Sequence, residues 1–124
     1  MNHTIRVCLV LAMAALFSVA CSTTKSRYSM IAGSYPPKPE NFEVQVFVKG
    51  MPQRPYVKIS RLDVHSEKTS YSGPLLDAML PELKKQARLS GADAIIEIRE
   101  RLSWVIETRV YHVTATGIRF TDQQ

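Results

Sequence analysis

Both cysteines of this 124-residue chain, Cys8 and Cys21, lie in its first 21 residues. Everything after Cys21 must therefore fold without an internal disulfide, on core packing alone, even in an oxidising compartment. The stretch with apolar patterning, 42–124, has about 80 residues, near the lower limit for a domain held by a single unstapled core. A homo-oligomer or a partner contact that shares the core is a natural expectation for such a chain.

The N-terminus carries one positive charge, Arg6, followed by an uncharged and largely apolar run from Val7 to Ala20. These are the n-region and h-region of a secretory signal. Fourteen residues of helix span only about 21 Å, against roughly 30 Å of hydrocarbon, so a permanent membrane span is the weaker reading. Residues 1–20 are expected to be a signal peptide. The run closes on Leu16-Phe17-Ser18-Val19-Ala20-Cys21, which resembles the lipobox of bacterial lipoproteins, although Ser18 stands where leucine is usual. The resemblance implies a diacylglycerol-modified, palmitate-carrying Cys21 as the mature N-terminus. The competing reading is an ordinary secretory signal with a chance cysteine. One acyl chain anchors only marginally and two or more hold a protein on the membrane; Ser22 after the cysteine, rather than Asp, implies the outer membrane, facing the periplasm.

Removing Arg6 with the leader leaves 15 Lys and Arg against 11 Asp and Glu. The charges are dispersed, which suits a solvated surface better than a basic face for anionic lipid or glycolipid headgroups. Nucleic acid is excluded as a partner by compartment and by the lack of a recognition motif.

Residues 21–41 are rich in Ser, Thr, Gly and Pro without an apolar period, and read as a lipidated, flexible, proline-containing tether. Such a tether would reach at most about 70 Å. Beyond it, Val44, Val46 and Val48 alternate with Glu43, Gln45, Phe47 and Lys49, a half-buried strand that exposes Phe47. A second strand over Tyr56 to His65 changes apolar phase between Ile59 and Leu62, which a β-bulge near Ser60-Arg61 would restore. Leu76, Leu80, Leu83 and Ala87 predict a helix over 74–90, with Pro81 expected to kink it or to split off its first turn and Gly91 to end it in left-handed geometry. Two more strands follow, over 92–102 and 105–120, with 101–104 as the turn. The expected fold is α+β, a two-layer ββαββ domain over 42–124: a mainly antiparallel sheet with one helix packed on one face.

The segments Val44-Gln-Val-Phe47, Leu62-Asp-Val64, Leu83-Lys-Lys-Gln-Ala87-Arg-Leu-Ser-Gly91-Ala-Asp-Ala-Ile-Ile96 and Val113-Thr-Ala-Thr-Gly117-Ile-Arg119 resemble the RcsF-like lipoproteins and the related YbjQ-like small domains. The resemblance implies an outer-membrane lipoprotein that senses envelope stress through contact with other membrane proteins. The sensor's two disulfides have no counterpart here.

No catalytic constellation is expected. Asp63 and His65 share a strand face with serines nearby, but a triad also needs a converging nucleophile and an oxyanion site, so a periplasmic hydrolase ranks below an exposed polar pair. His65 and His112 without a thiol or carboxylate cluster point to no metal and no cofactor. Glu97, Arg99 and Arg101, facing Glu107 and Arg109 across the turn, are candidates for surface ion pairs. Trp104, Arg99, Arg101 and Phe47 are the candidate partner-binding residues, aromatics on polar surfaces being common anchors. The chain thus reads as a non-enzymatic envelope lipoprotein bound to membrane lipid through acylated Cys21. Its domain would take a protein or glycolipid partner. The alternative is a structural or oligomer-forming outer-membrane lipoprotein.

Overall fold

The structure, a computed structural model, describes residues 22–68, 75–106 and 108–122. The leader, Cys21 and Glu107 lie outside the described residues. Among the described residues, five strands and one helix follow one another as β1 (Ser22–Met30), β2 (Gln45–Val46), β3 (Tyr56–Lys68), α1 (Leu75–Ser90), β4 (Ala94–Val105) and β5 (Thr108–Phe120). They make a single sheet in the order β1-β3-β5-β4-β2, antiparallel throughout except for the short parallel pairing of β2 with β4. The fold is α+β, a mostly antiparallel sheet with one helix. The strand order βββαββ adds a first strand to the expected ββαββ.

That strand corrects the tether. Ser22–Met30 pairs along its whole length with β3, from Ser22 opposite Lys68 to Met30 opposite Ser60. It carries no apolar stripe because its inward side chains meet polar partners. Thr24 bonds Ser66 at 3.3 Å, and the Ser26 hydroxyl donates to Glu82 at 2.7 Å and accepts from Gln86 at 2.8 Å. An edge strand stabilised by backbone and hydroxyl hydrogen bonds has no hydrophobic periodicity to read. The proline-containing stretch after it is also fixed: Ile31 donates to the Ile59 carbonyl and Lys38 to the Arg88 carbonyl, while Tyr35 and Phe42 pack on the core.

On one face of the sheet, Leu62, Val64, Ile95, Tyr111 and Val113 meet Met79, Leu83 and Ala87 of α1. The helix runs unbroken through Pro81. Its buried side centres on Met79, Leu83, Gln86, Ala87 and Ser90, with Leu76 and Leu80 at the margin. Gly91, at φ 82°, ends it in a Schellman arrangement: the Gly91 amide donates to Arg88 and the Ala92 amide to Ala87. Register shifts fall between Lys58 and Ser60 in β3, at the expected phase change, and between Ile96 and Arg99 in β4. Past the second shift, β4 continues to Val105 instead of turning at 101–104.

A smaller cluster of Ala94, Ile96, Ile118 and Phe120 lies apart from the main core, with Phe47 and Tyr56 packed against it. Phe47, expected to be an exposed partner anchor, is therefore half-buried structure. The two-residue β2 leaves Val48, not Phe47, exposed.

Candidate functional site

Side chains of a strand alternate between faces, so the residues between the core positions of β3 and β5 share the face away from α1. On β3 these are Arg61, Asp63 and His65, and on β5 His112, Thr114 and Thr116. Register extends each row outward. One row reads Lys25, His65, His112, Arg101, and the next Arg27, Asp63, Thr114, Arg99. Lys25, Arg27, Arg61, Arg99 and Arg101 are all exposed.

The Asp63 carboxylate stands in the middle, with Glu67 and Glu97 farther out on the same face. Asp63 accepts a hydrogen bond from His112 Nε2 at 2.8 Å and faces Arg27 at 3.5 Å. His65 meets Glu67 at 3.0 Å instead, and its ring sits edge-on to that of His112 with centroids 6.0 Å apart. The expected Asp63–His65 neighbours do share a face, but the pair that forms is Asp63–His112, across strands. Ser60 and Ser66 point the other way, buried against Ser90 and Thr24. Among the described residues, no group of three His, Cys, Asp or Glu side chains is placed to hold a metal ion.

The surface over these rows is shallow. A depression of about 390 Å³ is lined by Lys25, Arg27, Asp63, His65 and His112, and one of about 270 Å³ by Arg61, Glu97, Arg99 and Thr114. Neither encloses a small molecule. What the face offers is a flat field of guanidinium and ammonium groups with half-buried imidazoles between them.

Glu97, expected to pair with arginines of its own hairpin, binds Lys58 and accepts a weaker bond from Thr116. The Lys58 hydrogen bond holds its carboxyl below the ordinary carboxylate value. A carboxyl depressed in the folded state contributes stability above its unfolded pKa, roughly 4.3, and that contribution is lost as pH falls through the lower folded value. Lys58→Met should move the Glu97 titration, followed by NMR at its carboxyl carbon, back toward the ordinary value. It should also flatten the acid limb of the stability profile; an unmoved titration would show that the ion pair does not form in solution.

Of the residues singled out by sequence, Arg99 and Arg101 fall on this face, Trp104 lies at the far end of β4, and Phe47 belongs to the minor core. Lys25, Arg27 and Arg61 were missed. The spacing of Arg61, Asp63 and His65 was visible as an alternation, whereas nothing local places β1 beside β3. Neither family models nor curated proteins match the chain. A solved structure titled as the Francisella virulence factor FvfA is similar at 19% identity, with a TM-score of 0.47, covering 75% of this chain and 97% of that one.

Proposed function

We propose that the chain is an RcsF-like envelope lipoprotein of the outer membrane, acylated at Cys21, and that its domain is a binding module, not an enzyme. Its open sheet face takes an acidic surface of another envelope protein, and through that contact it reports envelope stress. The observation that supports this reading is the set of five exposed cations, Lys25, Arg27, Arg61, Arg99 and Arg101, on an uncovered face whose carboxylates, Asp63, Glu67 and Glu97, are fewer and each already engaged with a His, Lys or Arg of the domain. A flat and shallow face suits a protein partner better than a small ligand, which needs concavity. Complementary charge at such a contact speeds encounter and fixes register, and salt weakens it.

Two measurements test the two halves. Labelled palmitate should enter the wild-type chain and not Cys21→Ser. A photo-crosslinking residue at position 114, in the middle of the open face, should capture one envelope protein in living cells. The same residue at position 85, on the exposed side of α1, should not. Reversing Arg61, Arg99 and Arg101 to Glu should remove the adduct. Equal capture from both positions, or capture that survives the reversal, would overturn the assignment of the face.

A further inference from the structure

Ser22, Lys68, Arg109 and Trp104 form one row across β1, β3, β5 and β4. Three strand spacings of about 4.8 Å separate the backbone of Ser22 from that of Trp104, roughly 15 Å in all. β1 begins at this end of the sheet, so the residue joined to Ser22, Cys21, is attached where the β4–β5 hairpin has its tip. The reading of Cys21 as the lipid anchor therefore has a geometric consequence: the membrane lies at the hairpin end.

That end is apolar where solvated hairpins are polar. Leu102, Trp104, Val105 and Ile106 are all exposed. Trp104 and Val105 project to opposite sides of the ribbon, so apolar surface covers both of its faces, and Ile106 caps it at 94% exposure. Ile106 also has φ 57°, a left-handed conformation suited to Gly, Asn or Asp and disfavoured for a β-branched side chain. Among the described residues, the tip thus exposes apolar side chains on both faces and at its end, which suits an occupant that surrounds it, as lipid does. The guanidinium of Arg109 lies 4.6 Å from the centre of the Trp104 ring, an amphipathic pairing suited to headgroup level. Lys25 and Arg101 stand about 10 Å behind the Ser22–Trp104 row, within reach of anionic headgroups.

We infer that the β4–β5 tip, through Leu102, Trp104, Val105 and Ile106, inserts into the bilayer that holds the acylated Cys21. This inference rests on the lipoprotein reading of Cys21. Anchor and hairpin together hold the domain against the membrane with the ends of its strands toward the lipid, leaving the basic sheet face open to the side.

Trp104 is the only tryptophan of the chain and reports directly. The protein purified from membranes is reconstituted into vesicles of phosphatidylethanolamine and phosphatidylglycerol, some carrying lipids brominated near the headgroup end of the acyl chains. Trp104 emission should shift to the blue relative to detergent-free buffer, be quenched by the brominated lipids and resist aqueous iodide. Ile106→Asn should weaken the bromine quenching several-fold while raising thermal stability, since Asn accepts the left-handed conformation. A destabilised but still quenched variant would count against the tip. Mass spectrometry of the same preparations reads acylation independently. Acylated Cys21 with an iodide-accessible, unshifted Trp104 overturns the insertion and leaves the anchor standing. Quenched Trp104 with no acyl group overturns the anchor and supports insertion by the hairpin alone.

Discussion

Asp93→Ala is expected to lower stability by about 3–5 kcal/mol, the usual cost of leaving half of a buried ion pair behind. Asp93 follows the helix cap and is 7% exposed. One carboxylate oxygen accepts the Phe120 amide at 2.9 Å, and the other meets Lys38 Nζ at 2.9 Å. Its own amide donates to Ile118, and its carbonyl accepts from Gln45. One side chain thus ties together the segment after β1, the start of β4 and the end of β5. Truncation orphans a buried amide and leaves Lys38 with only the Phe42 ring, 4.9 Å away. In a domain of this size each kcal/mol moves Tm by about 4–8 °C, so thermal melts should shift by more than about 12 °C. Lys38→Met should cost less, because the Phe120 bond survives, and the double variant should be less destabilised than the sum of the singles. Additive melts would show that Lys38 and Asp93 do not interact.

Gly91→Ala is expected to cost about 3 kcal/mol or more, from two sources that a second glycine separates. Gly91 and Gly50 have similar positive φ angles, 82° and 74°. A Cβ on Gly50 would meet nothing within 4 Å, whereas one on Gly91 would sit 2.7 Å from Tyr35 Cβ and 2.9 Å from the Pro36 carbonyl. Gly50→Ala therefore measures the backbone conformation alone, about 1–2 kcal/mol. The excess at Gly91 measures how tightly residues 35–38 are pressed on the end of α1. Equal losses in chemical denaturation at the two positions would mean that this segment lifts away in solution, as a free tether would.

The two variants bear on function through the same segment. With residues 35–38 locked on α1 and β1 locked on β3, no slack lies between Ser22 and the body of the domain. With Cys21 acylated as proposed, the open face would then lie close to the membrane, near partners seated in or on the same bilayer.

The parts of the fold that were legible are those whose cause is local. The presence of α1, the Gly91 cap and the phase change in β3 depend on neighbours a few residues apart and fall close to where the residue spacing puts them, although the buried side of α1 is turned from Leu76 and Leu80 toward Met79 and Gln86. Phe47 misled because its alternation implied a longer strand than the two residues of β2. The chain leaves the sheet there, and the ring packs on the Ala94, Ile96, Ile118 and Phe120 cluster instead. The Asp63–His112 pair joins residues 49 positions apart, and only β3–β5 register makes them neighbours. Lys25 and Arg27 were hidden more deeply, since a strand of Ser, Thr, Lys and Arg has the composition of a linker.

From the order of its residues alone, the chain determines the absence of cysteines after Cys21 and which segments are amphipathic. These follow from composition and from periods of two and 3.6 residues, which need no partner. Strand neighbours, the conversion of a tether into an edge strand, the gathering of cations on one face and the placing of Ser22 beside the hairpin tip were decided by tertiary structure. Each depends on which backbone groups pair across long stretches of chain, and no local preference encodes that choice.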